Sequence, residues 1–421
     1  MLYGNKCYIY EKRFIQIVFL LILPVILSCG LWTSSASALT EEQSLLGEAW
    51  RIVNLAYVDD SFNHQNWWFV RQKLIKKPLK NRDDTYSAIQ EMLASLEDPF
   101  TRLLKPEQYN NLQVNTSGEL TGVGLQIALE PQTGELIVIS PLEGSPAEAA
   151  GIQPRDRVLK IDGQATSGFT LDEAANRMRG PVGSSVVLTI LTESNNQPED
   201  ITLIRDTIEI NPVYAELKSS PETGKIGYIR LSQFNANAAT EVSQAVESFE
   251  QQGVIGYVLD LRNNPGGLLQ AGIEIARLWL DDGTIVYTVN RQRFLDSFYA
   301  EGLAITDSPL VVLTNQGTAS ASEILAGALQ DNGRALLVGE RTFGKGLIQS
   351  LFDLSDGSGL AVTVAKYETP NHTDINKQGI MPDIVVEQDP ILPYQVTTED
   401  DKQYQAAVEL LTSQIALTNA V

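Results

Sequence analysis

Apolar residues recur at helical spacing through the first part of the chain and at strand-like spacing after it. The helical pattern is clearest in Glu41–Tyr57 and in Ser87–Leu96, which stops before Asp98 and Pro99. From Gly118 the apolar runs become short and are separated by turn residues. In this second part the sequence predicts strands at 123–127, 136–139 and 186–190, and helices at 145–151 and 171–178.

Strand-like and helix-like segments alternate after Pro212. The predicted strands are 225–231, 254–261, 310–314 and 335–338. Helices are predicted at 238–251, 320–330 and 404–415. Such alternation is typical of an α/β fold, so we expect an α/β core in the second half of the chain.

Composition indicates a globular protein with several domains. The chain has 421 residues, of which 43% are hydrophobic and 20% are charged. The formal net charge is −21, which argues against binding to nucleic acids or to anionic membranes, because both require basic patches.

The first 38 residues read as a secretory signal peptide. A basic start is followed by an apolar run over 14–27 and by the small residues Ala36–Ala38, which predict cleavage after Ala38. Ile26–Cys29 offers an alternative lipobox with a lipidated Cys29, which we rank second because Leu27 is bulky for its position. Cys7 and Cys29 both precede the predicted cleavage site, so the exported chain would contain no disulfide, zinc–thiolate site or cysteine nucleophile.

Two common catalytic patterns are disfavoured. Only His64 and His372 are present, and neither a G-x-S-x-G nor an H-E-x-x-H motif occurs, which argues against a Ser-His-Asp triad. Gly339–Lys345 fits the G-x-x-x-x-G-K pattern of a phosphate-binding loop. However, Gly346 stands where Ser or Thr would hold Mg²⁺, and the following segment is strand-like, so no helix N-terminus would receive a phosphate.

Ser320 lies in a turn of small residues between a predicted strand and a predicted helix. A serine at a helix start sits beside free backbone N–H groups that favour negative charge, which suits a nucleophile whose attack creates an oxyanion. The alternative is an ordinary helix cap, a position where serine is common.

Lys345 lies 25 residues after Ser320, between Gly344 and Gly346. A lysine acts as a general base only when neutral, and burial can lower its pKa far enough. If the segment is a strand, residues 345, 347 and 349 share one face, and Gln349 could hold the lysine by a hydrogen bond. The alternative is a lysine in a surface turn.

The third candidate segment is Asp260–Gly267, an apolar strand that runs into a Pro-Gly-Gly turn. Such a turn can present an unpaired N–H, one half of an oxyanion hole, although it can also be an ordinary tight turn. We expect Asp260 and Arg262 to form a structural ion pair.

Together these segments resemble the carboxyl-terminal processing proteases, also called tail-specific proteases, over roughly residues 45–390. The matching motifs are Leu96–Thr101, Ile226–Leu231, Asp260–Gly267, Gly317–Glu323, Gly339–Gln349 and Gly379–Asp383. The resemblance implies Ser320 as nucleophile, Lys345 as general base and Gln349 as the residue that orients the lysine. It implies an oxyanion hole from the N–H groups of Gly266 and Ala321, with no metal and no cofactor.

The resemblance also implies a division of the chain. After the signal peptide (1–38) we expect a helical N-terminal domain (39–117), a β-rich PDZ domain (118–208) and an α/β, crotonase-like protease core with a C-terminal helix (209–421). The loop that would bind a substrate's terminal carboxylate is Gly122, Val123, Gly124 and Leu125.

By this resemblance the partners are protein tails, and we expect a monomer that has no membrane span. The pattern is most similar to family members of cyanobacteria and plastids. The substrate implied for those is the precursor of a photosystem II reaction-centre subunit, trimmed in the thylakoid lumen. A periplasmic protease with broader tail cleavage is an alternative, and a non-catalytic PDZ protein that only binds tails is another.

Overall fold

The computed structural model describes residues 39–130, 133–192, 197–220, 224–293 and 295–418. The predicted signal peptide, with Cys7 and Cys29, lies outside the described residues. Among the described residues, no helix is both long and apolar enough to cross a membrane.

The N-terminal part is helical, as predicted. Thr40 begins the first helix with a capping box, in which its side chain and that of Gln43 each accept the other residue's backbone N–H. The elements are α1 (Glu41–Ala56), α2 (Trp67–Leu74), α3 (Arg82–Ala94), β1 (Arg102–Leu104) and α4 (Pro106–Ser117).

The next part is an antiparallel, β-rich unit around its own apolar core. Its strands are β2 (Glu119–Gly122), β3 (Leu125–Leu129), β4 (Leu136–Pro141), β5 (Arg157–Ile161), β6 (Gln164–Ala165), β7 (Ser185–Leu191), β8 (Glu199–Ile204) and β9 (Asp206–Glu209). Its helices are α5 (Pro146–Ala149) and α6 (Leu171–Met178).

Strand β3 forms an edge of this sheet, whose order is β3-β4-β5-β7-β8, with β6 paired to β5. The prediction of a strand from 123 was wrong at its start, because β3 begins at Leu125. Gly124 has φ +75°, and a Cβ there would lie 2.2 Å from Ser145 Cβ, so this glycine turns the chain instead of extending it.

Residues from 213 onward form two further sheets. The strands are β10 (Val213–Ser220), β11 (Gly224–Leu231), β12 (Gly256–Asp260), β13 (Thr284–Asn290), β14 (Leu295–Tyr299), β15 (Leu310–Thr314), β16 (Ala335–Gly339), β17 (Leu347–Asp353), β18 (Gly359–Glu368) and β19 (Ile384–Val385). The helices are α7 (Ala238–Gln251), α8 (Leu269–Trp279), α9 (Ala321–Asp331) and α10 (Lys402–Thr418).

The central sheet has the order β10-β11-β12-β15-β16-β19, parallel from β11 onward, and is covered on both faces. Successive side chains of a strand point to opposite faces of the sheet, and the strands carry apolar residues on both faces. Ile229, Leu259 and Val312 belong to the core shared with α7, α8 and α9, whereas Val258 and Val311 pack with α10.

The second sheet has the order β1-β18-β13-β14, and β17 also pairs with β18. Residues of α1–α3 pack against it in one apolar cluster that includes Leu354, Leu360 and Val362. Strand β18 therefore connects the N-terminal helices to the segment that carries Lys345.

Candidate active site

Two loops that leave the carboxyl ends of neighbouring strands β12 and β15 are joined by hydrogen bonds. The carbonyl of Asn264 accepts from Ala319 N and from Ser322 Oγ, each at 3.0 Å. Thr318 Oγ1 donates to the carbonyl of Leu261 at 2.8 Å. These bonds hold the Pro-Gly-Gly turn against the turn that carries Ser320.

Ser320 immediately precedes α9 but does not cap it with its side chain. Its backbone has φ +58° and ψ −118°, in contrast to the extended conformation usual at an N-cap. No backbone N–H donates to Ser320 Oγ; instead, Ser320 N donates to Glu323 Oε2 at 2.9 Å. A non-glycine residue at positive φ is strained, and the result here is a half-buried hydroxyl left unpaired at the edge of a cavity.

Glu323 is a site residue that the sequence reasoning missed. It is fully buried and accepts four hydrogen bonds. Thr342 Oγ1 (2.5 Å) and Gly344 N (2.7 Å) donate to Oε1, and Ser320 N and Lys345 N, each at 2.9 Å, donate to Oε2. One carboxylate thus fixes the backbone of both predicted dyad residues. The sequence signal for it was a glutamate three residues after a serine at a helix start.

Lys345 lies in an irregular segment before β17, so the predicted strand face shared by residues 345, 347 and 349 is wrong. The N–H groups of Gly344 and Lys345 bond to Glu323 instead of to a neighbouring strand. The pairing of β17 with β18 also shifts register between Ile348 and Gln349.

The lysine side chain is half-buried, and its Nζ lies 5.1 Å from the centroid of the Phe100 ring. Burial lowers the pKa of Lys345 from its ordinary value, and the positive charge of Arg102 lowers it further, against the raising effect of Glu323 and Asp98. A lowered pKa increases the neutral fraction that a general base requires.

Lys345 and Ser320 line the same cavity of about 380 Å³, but their side chains are not hydrogen-bonded to each other in this structure. Catalytic hydrogen bonds are often long before substrate binds. The lack of this bond without substrate is therefore compatible with a Ser320–Lys345 pair that forms when substrate binds.

Gln349 also lines this cavity, but its Nε2 lies 3.5 Å from Thr363 Oγ1, and it does not contact Lys345 through a hydrogen bond. Thr363 Oγ1 donates to Asp98 Oδ2 at 2.7 Å. Asp98 and Phe100 belong to the Leu96–Thr101 motif of the resemblance, and Arg102 follows it directly. Nothing in the sequence pattern indicates that these residues lie beside the lysine.

The two predicted oxyanion-hole donors are adjacent but not equivalent. Ala321 N–H, in the first turn of α9, donates to no described group, whereas Gly266 N–H donates to Asn264 Oδ1 at 2.9 Å. A Cβ on Gly266 would lie 2.9 Å from Ala321 N. The N–H of Ala321 is therefore open to an oxyanion. The N–H of Gly266 would have to break its hydrogen bond to Asn264 before it could donate to an oxyanion.

The predicted carboxylate-binding loop lies between β2 and β3, away from this cavity. Gly122 ends β2, Leu125 begins the edge strand β3, and Val123 is buried. Among the described residues, neither Val123 N–H nor Gly124 N–H has an acceptor. Two unpaired N–H groups beside a free strand edge are what the capture of a peptide terminus requires.

Comparison with known proteins places this chain in a family. The model of peptidase family S41 matches residues 225–386, and that of the PDZ domain matches residues 137–192. A carboxyl-terminal-processing protease of Synechocystis sp. is 61% identical over 408 residues, covering 97% of this chain and 95% of its own length.

Two further relatives are informative. The chloroplastic carboxyl-terminal-processing peptidase 2 of Arabidopsis thaliana is 48% identical, over 82% of this chain and 69% of its own. The solved structure of a photosystem II D1 C-terminal processing protease is 44% identical, with a TM-score of 0.54, over 83% of this chain and 94% of that one. With such similarity over nearly its whole length, this chain belongs to the carboxyl-terminal-processing proteases, serine peptidases of family S41.

Proposed function

We propose that Ser320 is the nucleophile and Lys345 the general base of this protease. The observation that carries the proposal is the shared cavity, where an uncapped serine hydroxyl and a partly desolvated lysine of lowered pKa lie beside the open N–H of Ala321. A nucleophile, a base and an oxyanion donor are the parts that acyl transfer requires.

The reaction proceeds by two acyl transfers. Neutral Lys345 takes the proton of Ser320 Oγ as the oxygen bonds to the scissile carbonyl carbon, and the N–H groups of Ala321 and Gly266 stabilise the oxyanion. The lysine ammonium then protonates the leaving amine, which departs with the carboxyl-terminal fragment. Lys345 next deprotonates a water, which attacks the ester and releases Ser320 and the shortened protein.

We assign the remaining predicted regions to substrate handling. Residues 39–117 form the helical N-terminal domain, 118–208 the PDZ domain and 209–421 the protease core. Gly122–Leu125 bind the terminal carboxylate of the substrate, and the tail pairs with the free edge of β3 as an added strand. Gln349 turns from Thr363 to Lys345 when the lysine moves toward Ser320.

The substrate that fits best is the carboxyl-terminal extension of a photosystem II D1 precursor, because that is what the solved relative is named for. The chloroplastic and cyanobacterial relatives support export to the thylakoid lumen, with the periplasm as the other destination of the same signal peptide.

The test is cleavage of a D1 carboxyl-terminal peptide that is supplied with a free carboxylate or with a terminal amide, followed by mass spectrometry. We expect one cut near the terminus, and a KM for the free acid that is about tenfold lower, as one charge-assisted interaction contributes roughly 1.5 kcal/mol. Gly124→Ala, whose Cβ would strike Ser145, should raise the KM of the free acid to that of the amide.

Gly183→Ala is the matched control, since Gly183 has φ +81° and open space around it. Equal KM values for acid and amide, or several internal cuts independent of the tail, would rule out recognition of the carboxylate.

A further inference from the structure

A basic segment with exposed aromatic residues interrupts the acidic chain in the N-terminal helices. No Asp or Glu occurs between residues 61 and 82, although the formal net charge of the chain is −21. The same interval contains six basic residues: Arg71, Lys73, Lys76, Lys77, Lys80 and Arg82.

Helix α2 divides its aromatic residues between the interior and the solvent. Trp67 is buried in the N-terminal core, whereas Trp68 is 54% exposed and Phe69 is 67% exposed. Trp68 is held in place, because its ring contacts Trp50 edge-on with centroids 6.3 Å apart and the Arg71 guanidinium lies 5.6 Å from its centroid. The exposed Trp68 ring is therefore presented in a defined position.

Basic residues lie next to Phe69, with Lys73 on α2 itself and Lys76 and Lys77 directly after its end. Phe69 and Lys73 are four residues apart, so they lie on one face, and both line an open cavity of about 570 Å³. Lys73 and Lys77 share a single carboxylate, that of Glu91. Lys76 is exposed, and its ammonium has no ion pair among the described residues. The surface formed by Trp68, Phe69, Lys73, Lys76 and Lys77 thus carries an excess of positive charge.

We propose that this aromatic–basic surface binds the anionic headgroups of a lipid bilayer. Trp and Phe side chains enter the interface between headgroups and acyl chains, while lysines extend their ammonium groups to the phosphates. Each lysine near an anionic surface strengthens attachment, and attraction falls off within a Debye length, so the local charge decides the outcome rather than the net charge of the chain. The net charge alone had argued against such docking, because it averages this surface with the acidic remainder.

The occupant is a membrane rather than a second copy of this chain, because of charge. Two copies of the surface would bring their lysine ammonium groups together, which is repulsive, whereas an anionic bilayer complements all of them. Peripheral attachment needs only these side chains and no spanning helix.

The test is co-sedimentation of the exported chain, beginning at Leu39, with vesicles of phosphatidylcholine alone or mixed equally with phosphatidylglycerol. We expect binding only to the mixed vesicles and its loss in 0.5 M NaCl, a concentration that screens surface charge. Lys73→Gln with Lys76→Gln should weaken binding roughly 25-fold, at about 1 kcal/mol per lysine. Phe69→Ser should weaken it about tenfold through the lost apolar contact.

The matched controls are substitutions of the same kinds, Lys→Gln and aromatic→Ser, at exposed residues outside this surface. Lys160→Gln with Lys402→Gln removes two exposed ammonium groups, and Tyr394→Ser removes an aromatic ring that is 75% exposed. Neither control should change binding. Equal binding to both kinds of vesicle, or equal losses in controls and variants, would overturn the proposal. The proposal would also be overturned if the parent did not bind vesicles but self-associated, and if Phe69→Ser abolished that self-association. This face would then be an interface between copies of the chain.

Discussion

At the scale of single residues, the backbone of the proposed dyad is held by a carboxylate that does not line the cavity. Glu323 accepts the backbone N–H groups of Ser320 and Lys345 and so fixes the distance between two segments that are remote in sequence. The Tyr367 hydroxyl donates to the carbonyl of Lys345 at 2.5 Å and to that of Ser320 at 3.2 Å, which adds a second bridge. Both bridges act on the backbone of the two proposed dyad residues and do not involve their side chains.

Replacing Glu323 should therefore disturb the positions of Ser320 and Lys345 more than it disturbs substrate binding. Glu323→Gln leaves at least one buried N–H facing an amide, which we expect to cost about 1–3 kcal/mol of unfolding free energy. It should lower kcat roughly 100-fold through misplacement of the dyad, with little change in KM. Because the Glu323 charge raises the pKa of Lys345, its loss should also move the acid limb of the rate profile to lower pH.

The measurements are steady-state kinetics against pH and urea unfolding, with the exposed Glu247→Gln as control. If Glu323→Gln is less stable but keeps the parent's pH profile and kcat, then Glu323 has a structural role only.

Replacing Arg102 should shift the acid limb of the pH–rate profile in the direction opposite to that expected for Glu323→Gln. Its charge lowers the pKa of Lys345, so Arg102→Gln raises that pKa. Since the base acts when neutral, the rise of kcat/KM with pH should shift to higher pH, and the shift should shrink in high salt because Arg102 is exposed. Arg51→Gln, another exposed arginine, should leave the profile unchanged. A shift to lower pH would contradict this electrostatic explanation.

At the scale of elements, the site forms where two parallel strands end and their loops cross-link. Gly266 is central to this junction because its φ is +94° and its missing side chain leaves room for the Ser320 turn. Gly266→Ala would place a Cβ 2.7 Å from Ala319 O and 2.9 Å from Ser320 Cβ, so the turn that carries Ser320 must shift.

We expect Gly266→Ala to lower kcat by roughly 100-fold, the penalty for misplacing a reacting group. Gly357→Ala is the matched control: its φ of +83° imposes similar backbone strain, but no atom lies within 4 Å of the added Cβ. Kinetics of both variants, compared with their melting temperatures, check this. Equal losses of activity would attribute the effect to backbone strain rather than to contact with Ser320.

Elements that are specified by their own residues could be predicted, and those specified by distant partners could not. Helix Ala238–Gln251 and strand Leu310–Thr314 were predicted to the residue, since each carries its periodicity within itself. Strand Gly359–Glu368 was missed, although it pairs with β1, β13 and β17. Lys345 stays a predicted site residue, but the strand considered for it is absent, because Glu323 accepts its N–H and nothing near it in the sequence indicates this.

At the scale of the whole molecule, both ends of the described chain brace the protease core. The N-terminal segment brings Phe100 and Arg102 to the lysine. At the other end Arg262 Nη1 reaches Asp401, at the start of α10, at 2.7 Å, and Arg262 Nη2 reaches Asp260 at the same distance. All three side chains are buried, so this ion cluster ties the C-terminal helix to the loop that follows β12 and contains Gly266.

Asp401→Asn should destabilise the protein by about 3–5 kcal/mol at neutral pH, because it leaves the buried Arg262 short of one charge partner. Burial alone would raise the pKa of Asp401, but hydrogen bonds and charge from Arg262 outweigh this and hold that pKa below its ordinary value. A depressed carboxyl pKa contributes stability above the unfolded value, about 3.9, and loses it as pH falls toward the folded pKa.

The difference in unfolding free energy between parent and Asp401→Asn should therefore be full at pH 7 and shrink below pH 4. Urea unfolding at several pH values measures it, with the exposed neighbour Asp400→Asn as control. A difference that does not depend on pH would mean that the charge of Asp401 is not what stabilises the cluster.

The measurement that tests the dyad most directly is the kcat/KM of the parent, Ser320→Ala, Lys345→Ala and Lys345→Arg on one peptide with a free carboxyl terminus. Lys366→Ala serves as an exposed lysine control. We expect all three dyad variants to fold and to fall at least about 1,000-fold below the parent, since arginine cannot act as a neutral base. Activity within tenfold of the parent in folded Ser320→Ala or Lys345→Ala would contradict the assigned chemistry.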